Sequence, residues 1–184
     1  MGRIETYLAL LERWNPRINL VGPGAPALWR SRHVQDSLQL AGLLPPGECA
    51  DLGSGGGLPG LILAAARPDP MHLVEADQRK CAFLREAARE MSLLHVTVHA
   101  ARIDAARLPK LAAITARALA PLTELLPWAH QHLAEAGTAL FPKGRNAEAE
   151  LTEATPHWHM SVERFGSHTD AEATIFRIRD VRPA

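Results

Sequence analysis

The segment Asp51-Leu52-Gly53-Ser54-Gly55-Gly56-Gly57-Leu58-Pro59-Gly60 constrains this chain more than any other. It places five glycines within the eight residues 53–60, between two apolar runs. Glycine lets the backbone take positive φ and approach a ligand closely. A helix that opens after such a loop also presents unpaired N–H groups at its first turn. A plain tight turn does not need five glycines, because each one costs chain entropy on folding. The segment therefore predicts a strand, a ligand-contacting loop and a helix in succession.

Two ligand chemistries fit the loop. Gly55-x-Gly57-x-x-Gly60 has the spacing of a dinucleotide fingerprint, and Glu75 lies twenty residues past Gly55 at the end of the next apolar run. Pro59, however, lacks a backbone donor where a pyrophosphate would need one. Asp51 stands just before the first glycine, where a carboxylate could reach a cationic or amino-bearing ligand. That arrangement suits S-adenosylmethionine, which carries an ammonium and a sulfonium and no phosphate. Glu75 fits both readings, since a carboxylate at a strand end can accept both ribose hydroxyls.

The surrounding pattern predicts an α/β fold. Ile4, Tyr7, Leu8, Leu11 and Trp14 recur at helical spacing, and Asn15-Pro16 is expected to stop that helix. A Gly/Pro-rich loop over 22–26 follows, then a second helix over 27–43, and Pro45-Pro46-Gly47 breaks the chain. Residues 1–45 thus read as a helical extension and 46–184 as one compact unit. Strands are expected at 48–52, 71–75, 96–99, 111–116 and 138–142, and helices at 58–66, 78–91, 120–134 and 146–155. A short helical turn is expected after Val98. Two closing strands, 157–164 and 173–179, complete a doubly wound, mostly parallel sheet with an antiparallel C-terminal edge.

Composition narrows the partners. The 184 residues carry 20 Lys+Arg against 20 Asp+Glu, a formal net charge of zero, which excludes a strongly basic nucleic-acid binder. Within residues 1–44, five Arg oppose three acids, so the extension is slightly positive and the remainder slightly negative. Cys49 and Cys81 lack metal-ligand spacing and read as two reduced thiols. No apolar stretch approaches the roughly 18 residues of a membrane span, and the N-terminus has no signal-peptide core. A cytoplasmic monomer is the expectation. His157, Trp158 and His159 read as edge-strand packing.

Other motifs fall in a recognisable order along the chain. Trp14-Asn15 precedes Ile18-Asn19-Leu20, then come Arg32-His33 and Asp36-Ser37-Leu38. The glycine loop ends in Leu58-Pro59-Gly60. Lys80 with Phe83-Leu84-Arg85-Glu86, Thr115-Ala116-Arg117-Ala118 and Lys143-Gly144 follow. The loop resembles the methyl-donor loop of class I methyltransferases. The whole set, over about residues 5–145, is similar to the RsmG (GidB) family, which methylates guanine N7 in bacterial small-subunit (16S) ribosomal RNA. The resemblance implies a class I methyltransferase-like fold and S-adenosylmethionine as methyl donor. It implies that Gly53 and Leu58 contact the donor, beside Asp51 and Gly55. Glu75 would hold the ribose, with Ala76 and Asp77 close by, and Ile103 and Asp104 would flank the adenine. Arg117 would face the donor or the RNA. Arg117 and Lys143 are the positioning candidates, and Arg32, His33, Arg117, Lys143 and Arg145 the candidate RNA-facing residues. Helix clamping is a competing reading for Arg32, His33 and Asp36.

Guanine N7 has a free lone pair, so its methylation needs positioning and no general base. The chain fits that chemistry. It has no Asn/Asp-Pro-Pro-aromatic tetrapeptide for exocyclic amines and only three lysines, Lys80, Lys110 and Lys143. A carbonyl or carboxylate near the product cation would stabilise the transition state. Because net charge is zero, naked RNA should bind weakly, and the expected substrate is an assembled or assembling 30S particle. Two rival readings remain at this level: an NAD(P)-dependent oxidoreductase and a non-catalytic binding module of the same fold.

Overall fold

A computed structural model describes residues 2–22 and 24–184. Pro23, within the expected 22–26 loop, lies outside them. Seven strands form one sheet: β1 Cys49–Leu52, β2 Met71–Glu75, β3 Val96–Ala100, β4 Leu111–Thr115, β5 Leu133–Lys143, β6 Trp158–Gly166 and β7 Thr174–Pro183. Their order is β3-β2-β1-β4-β5-β7-β6. The first five are parallel, and β7 lies antiparallel between β5 and β6. The doubly wound parallel sheet with an antiparallel C-terminal edge is therefore present.

Strand β1 is buried on both faces, as a central parallel strand must be. On one face, helices α1 Arg3–Ile18, α3 Gly60–Ala66 and α4 Gln78–Glu90 enclose a core around Leu11, Leu61, Leu73 and Phe83. On the other, α5 Leu122–His132 and α6 Ala147–Ala154 cover Leu52, Ile114, Phe141 and Phe176. Tyr7, Leu10 and Leu11 of α1 belong to the first core, and Trp14 meets the Phe83 ring edge-on at 5.8 Å.

Several boundaries differ from the sequence expectation, each for a physical reason. Helix α1 runs past Asn15-Pro16 to Ile18. Pro16 removes only one N–H near the helix end, and the Asn15 carboxamide accepts from the Leu20 and Val21 amides to close the turn. The single helix expected over 27–43 is a 3₁₀ turn, Pro26–Leu28, a widened π-helical turn, Arg30–Val34, and one α-helical turn, α2 Gln35–Leu38. Ser31 and Ser37 hydroxyls donate to the Leu28 and His33 carbonyls and compete with regular helix bonding. Helix α5 starts later than expected because Ala120 precedes Pro121, which favours extended backbone. It ends at His132, and β5 begins directly at Leu133, paired with Leu111. Strand β7 continues to Pro183 because the start of β6 pairs with it, Trp158 opposite Pro183 and His159 opposite Arg182, while Glu163 pairs with Arg177 and Arg179 nearer the turn.

Candidate active site at the strand ends

The carboxyl ends of β1, β2 and β4 open onto one cavity of about 720 Å³, the switch-point position of a doubly wound sheet. Its floor is the glycine loop. Gly53, Gly55 and Gly57 adopt φ of 66°, 52° and 82°, where only glycine is unstrained. The loop packs so closely that a Cβ on Gly57 would lie 2.4 Å from Leu61.

The loop's amides are largely committed within the protein. Ser54 N donates to the Val74 carbonyl at 3.0 Å and Gly57 N to the Ser54 carbonyl at 2.7 Å. Gly55 N donates to Glu75 Oε2 at 2.9 Å, and Gly60 N to Asp51 Oδ2 at 3.1 Å. Pro59 has no amide hydrogen to give. A pyrophosphate would therefore find few free donors, whereas a ligand held by carboxylate and apolar contacts fits.

The predicted residues divide between the cavity wall and the layer behind it. Gly53, Gly55, Leu58, Glu75, Ala76, Ile103, Asp104 and Arg117 line the cavity. Glu75 also accepts from Asp77 N at 2.8 Å through Oε1, so its carboxylate is fixed at both oxygens and each keeps accepting capacity. Asp77 is not on the wall. It caps α4 by accepting from Arg79 N and Lys80 N, and the Arg79 guanidinium together with these amides holds its carboxyl below the ordinary range. Asp51 does not reach the cavity either. It is buried, accepting from Gly60 N and from Thr115 Oγ1 at 3.1 Å, and burial pushes its pKa up to about 6. Its place is to lock the loop to β4.

Sequence reading missed other wall residues. Leu20 and Val21, after α1, and Trp128, on α5, supply apolar surface, and Lys80 sits at the N-terminal turn of α4. Behind the wall, Tyr7 of α1 is fully buried and donates its hydroxyl to the Gly56 carbonyl at 2.7 Å. The helical periodicity of Tyr7 was the only sequence signal for that contact. Leu119 follows Ala118, which has φ 52°, and its side chain closes over Gly53.

A second cavity, about 850 Å³, adjoins the first and shares His33, Arg117, Ala118 and Leu119 with it. Arg117 Nη1 donates to Asp36 Oδ2 at 3.0 Å. Burial and the guanidinium groups of Arg117 and Arg32 hold the His33 pKa below its ordinary value. Arg32 is exposed and lines the second cavity but not the first. Lys143 lines it too, but its ammonium is largely buried, bonded to the Ala120 carbonyl at 2.6 Å and to Glu150 at 2.8 Å. Arg145 is exposed and pairs with Glu172.

A glycine loop with its amides largely used internally, a carboxylate at the end of β2 and a cavity at the switch point of a doubly wound sheet fit the class of S-adenosylmethionine-dependent methyltransferase folds. Solved structures agree on the fold. The chain is similar to a SAM-dependent methyltransferase from Aquifex aeolicus, with TM-score 0.62 and 11% identity over 82% of this chain and 91% of that one. It is also similar to a ribosomal protein L11 methylase from Lactobacillus delbrueckii, with TM-score 0.59 and 20% identity over 77% of each. The family model for GidB, rRNA small subunit methyltransferase G, matches residues 1–174. The Gluconobacter oxydans protein named ribosomal RNA small subunit methyltransferase G is 53% identical over 98% of this chain and 93% of its own length. Its Paracoccus denitrificans counterpart is 44% identical over 99% and 96%. The chain belongs to the rRNA small subunit methyltransferase G family and is an enzyme of that family.

Proposed function

We propose that this protein transfers a methyl group from S-adenosylmethionine to guanine N7 at one position of 16S rRNA. The observation that carries the reading is the wall of the first cavity: Glu75, anchored at both oxygens, faces a glycine loop with little capacity left for phosphate. Membership of the family supports ribosomal RNA as substrate. In this reading Glu75 accepts from the ribose hydroxyls, Ile103 and Trp128 enclose the adenine beside Ala76 and Asp104, and Gly53, Gly55 and Leu58 border the methionyl end. Asp51 and Asp77 act from behind, on the loop and on α4. Bound S-adenosylmethionine supplies a methyl group on a positively charged sulfur. The N7 lone pair forms the new bond as the carbon–sulfur bond breaks onto sulfur, so the chain need remove no proton.

The charge distribution supports a particle rather than free RNA as substrate. Of the candidate RNA-facing cations, Lys143, Arg145 and Arg117 each hold a carboxylate partner, and Arg32 is the exposed one without an ion-pair partner among the described residues. With one unpaired cation among those candidates and a formal net charge of zero, naked RNA is expected to bind weakly and with salt sensitivity. A monomer that borrows contacts from an assembled or assembling 30S particle fits. Residues 1–45 then act as an extension that contributes a wall to the site, through Leu20, Val21 and His33. No helix among the described residues is long and apolar enough to cross a membrane, which accords with action in the cytoplasm.

Labelled methyl transfer to small subunits from cells lacking the protein, run beside protein-free rRNA, tests this. Transfer to particles well above transfer to free rRNA is expected. Equal transfer overturns the particle as substrate, and no transfer to either overturns the function.

A further inference from the structure

The second cavity lies beyond the glycine loop and Glu75, which line only the first, and its polarity is uneven. At the junction with the donor cavity stands Arg117, a cation whose Nη1 is engaged by Asp36 and whose Nε and Nη2 have no partner among the described residues. Elsewhere its lining includes the carboxylates of Glu150 and Asp170, with Lys143 offset by its ion pair to Glu150 and Arg32 exposed at the rim. Glu150 uses Oε2 for the Leu122 amide and for Lys143, and Oε1 has no partner among the described residues. Leu119 at the junction and Pro142 offer apolar surface for a flat ring.

We propose that this cavity receives the acceptor guanine, with Arg117, set in place by Asp36, donating to O6. The proposal rests on the N7-methylation reading above. When guanine N7 faces the methyl donor, O6 lies beside it as an acceptor and the N1–H and N2–H donors point away. A cation at the junction and carboxylates beyond it match that pattern. Adenine reverses it, placing the N6 amino donors beside N7, where they would meet the Arg117 donors. Guanine and adenine are thereby distinguished at the atom next to the reacting one.

Asp36 is a positioning residue in this arrangement. Its Oδ2 accepts from Arg117, while Oδ1 accepts from Gln39 Nε2 at 2.8 Å and from Thr169 Oγ1 at 3.0 Å. Gln39 in turn holds the 167–169 loop, accepting from His168 N at 2.9 Å and donating to Ser167 Oγ at 3.2 Å. One carboxylate thus ties the N-terminal segment, the end of β4 and the β6–β7 loop around the cavity. The widened helical turn over Arg30–Val34 precedes it directly, and such turns cluster at functional positions. The C-terminal hairpin gains a role as the far wall.

Two variants test the proposal, each measured for S-adenosylhomocysteine affinity by calorimetry, for melting temperature, and for kcat and KM on small-subunit particles. Asp36→Asn keeps the size of the side chain and removes the charge that sets Arg117. Ala173→Trp fills the cavity from the β6–β7 loop while leaving both members of that pair unaltered. Both are expected to bind S-adenosylhomocysteine within twofold of wild type and to keep KM for particles. Asp36→Asn should lower kcat about 10- to 100-fold through misplacement, and Ala173→Trp should lower it at least as much. Undiminished kcat in folded Ala173→Trp overturns the cavity as acceptor site. A tenfold loss of S-adenosylhomocysteine affinity in Asp36→Asn assigns Arg117 to the donor and overturns its role at O6. Transfer by wild type to an atom other than guanine N7 removes the underlying reading and the proposal with it.

Discussion

Replacing Glu75 by alanine tests the donor-site assignment most sharply. The carboxylate accepts from Gly55 N at 2.9 Å and Asp77 N at 2.8 Å, so it joins the glycine loop to the start of α4 as well as facing the cavity. Hydrogen bonds to a charged group are worth about 1.5–3 kcal/mol each. If the ribose contact alone is lost, donor affinity falls roughly ten- to a hundredfold. The two backbone bonds are lost as well, so the upper part of that range is expected. Glu75→Gln separates the contributions: its single carbonyl oxygen can satisfy one amide while its NH₂ faces the other. Its loss should be smaller than that of alanine and still exceed tenfold. Titration calorimetry with S-adenosylhomocysteine, with melting temperature as a folding control, reads both variants. Wild-type affinity in folded Glu75→Ala would refute the ribose assignment. Equal losses in both variants would show that the backbone anchoring dominates.

Three further substitutions probe the frame behind the cavity. Tyr7→Phe removes the hydroxyl that meets the Gly56 carbonyl and leaves that carbonyl buried without its partner; a cost of about 1–3 kcal/mol, a melting-temperature drop of a few degrees and weaker donor binding are expected, and an unchanged melting curve would show the bond to be dispensable. Gly60→Ala would bring a Cβ to 2.4 Å from Leu73 and 2.7 Å from Asp51 Oδ2, so overpacking should destabilise by about 1–3 kcal/mol, read by chemical denaturation. Asp51 gives a pH signature: its folded pKa of about 6 lies above the ordinary 3.8, so ionisation opposes folding. The cost is absent below pH 4, grows as pH rises to 6 and stays constant above. Asp51→Asn should therefore gain stability relative to wild type across that window, by on the order of 3 kcal/mol, and a difference of opposite slope would refute the burial argument.

What the sequence shows and what it hides follow from the range of the interactions. The glycine loop, Glu75 and the strand–helix alternation were legible because backbone conformation and apolar period are local properties. The wall positions of Leu58, Ile103 and Asp104 followed from the family motif. Asp51 was expected to meet the ligand, but its strand register beside Leu73 and Thr115 turns the carboxylate inward. That direction depends on which face of β1 the helices cover, which no local pattern reveals. Residues 134–137, Ala-Glu-Ala-Gly, look unlike a strand, and they extend β5 because β4 pairs with its start at Leu133. Lys143 was expected to face RNA, and the structure places Glu150, seven residues on, against its ammonium. Contacts such as Tyr7 to Gly56 and Asp36 to Arg117 span dozens of residues and exist only once the chain has folded.

The position of the transferred label bears on the reaction itself. Small subunits from cells lacking the protein would be methylated with labelled S-adenosylmethionine, and the 16S rRNA then cleaved at N7-methylated guanosines. One cleaved guanosine carrying all the label is expected. Label on another atom, or scattered over many guanosines, would contradict it.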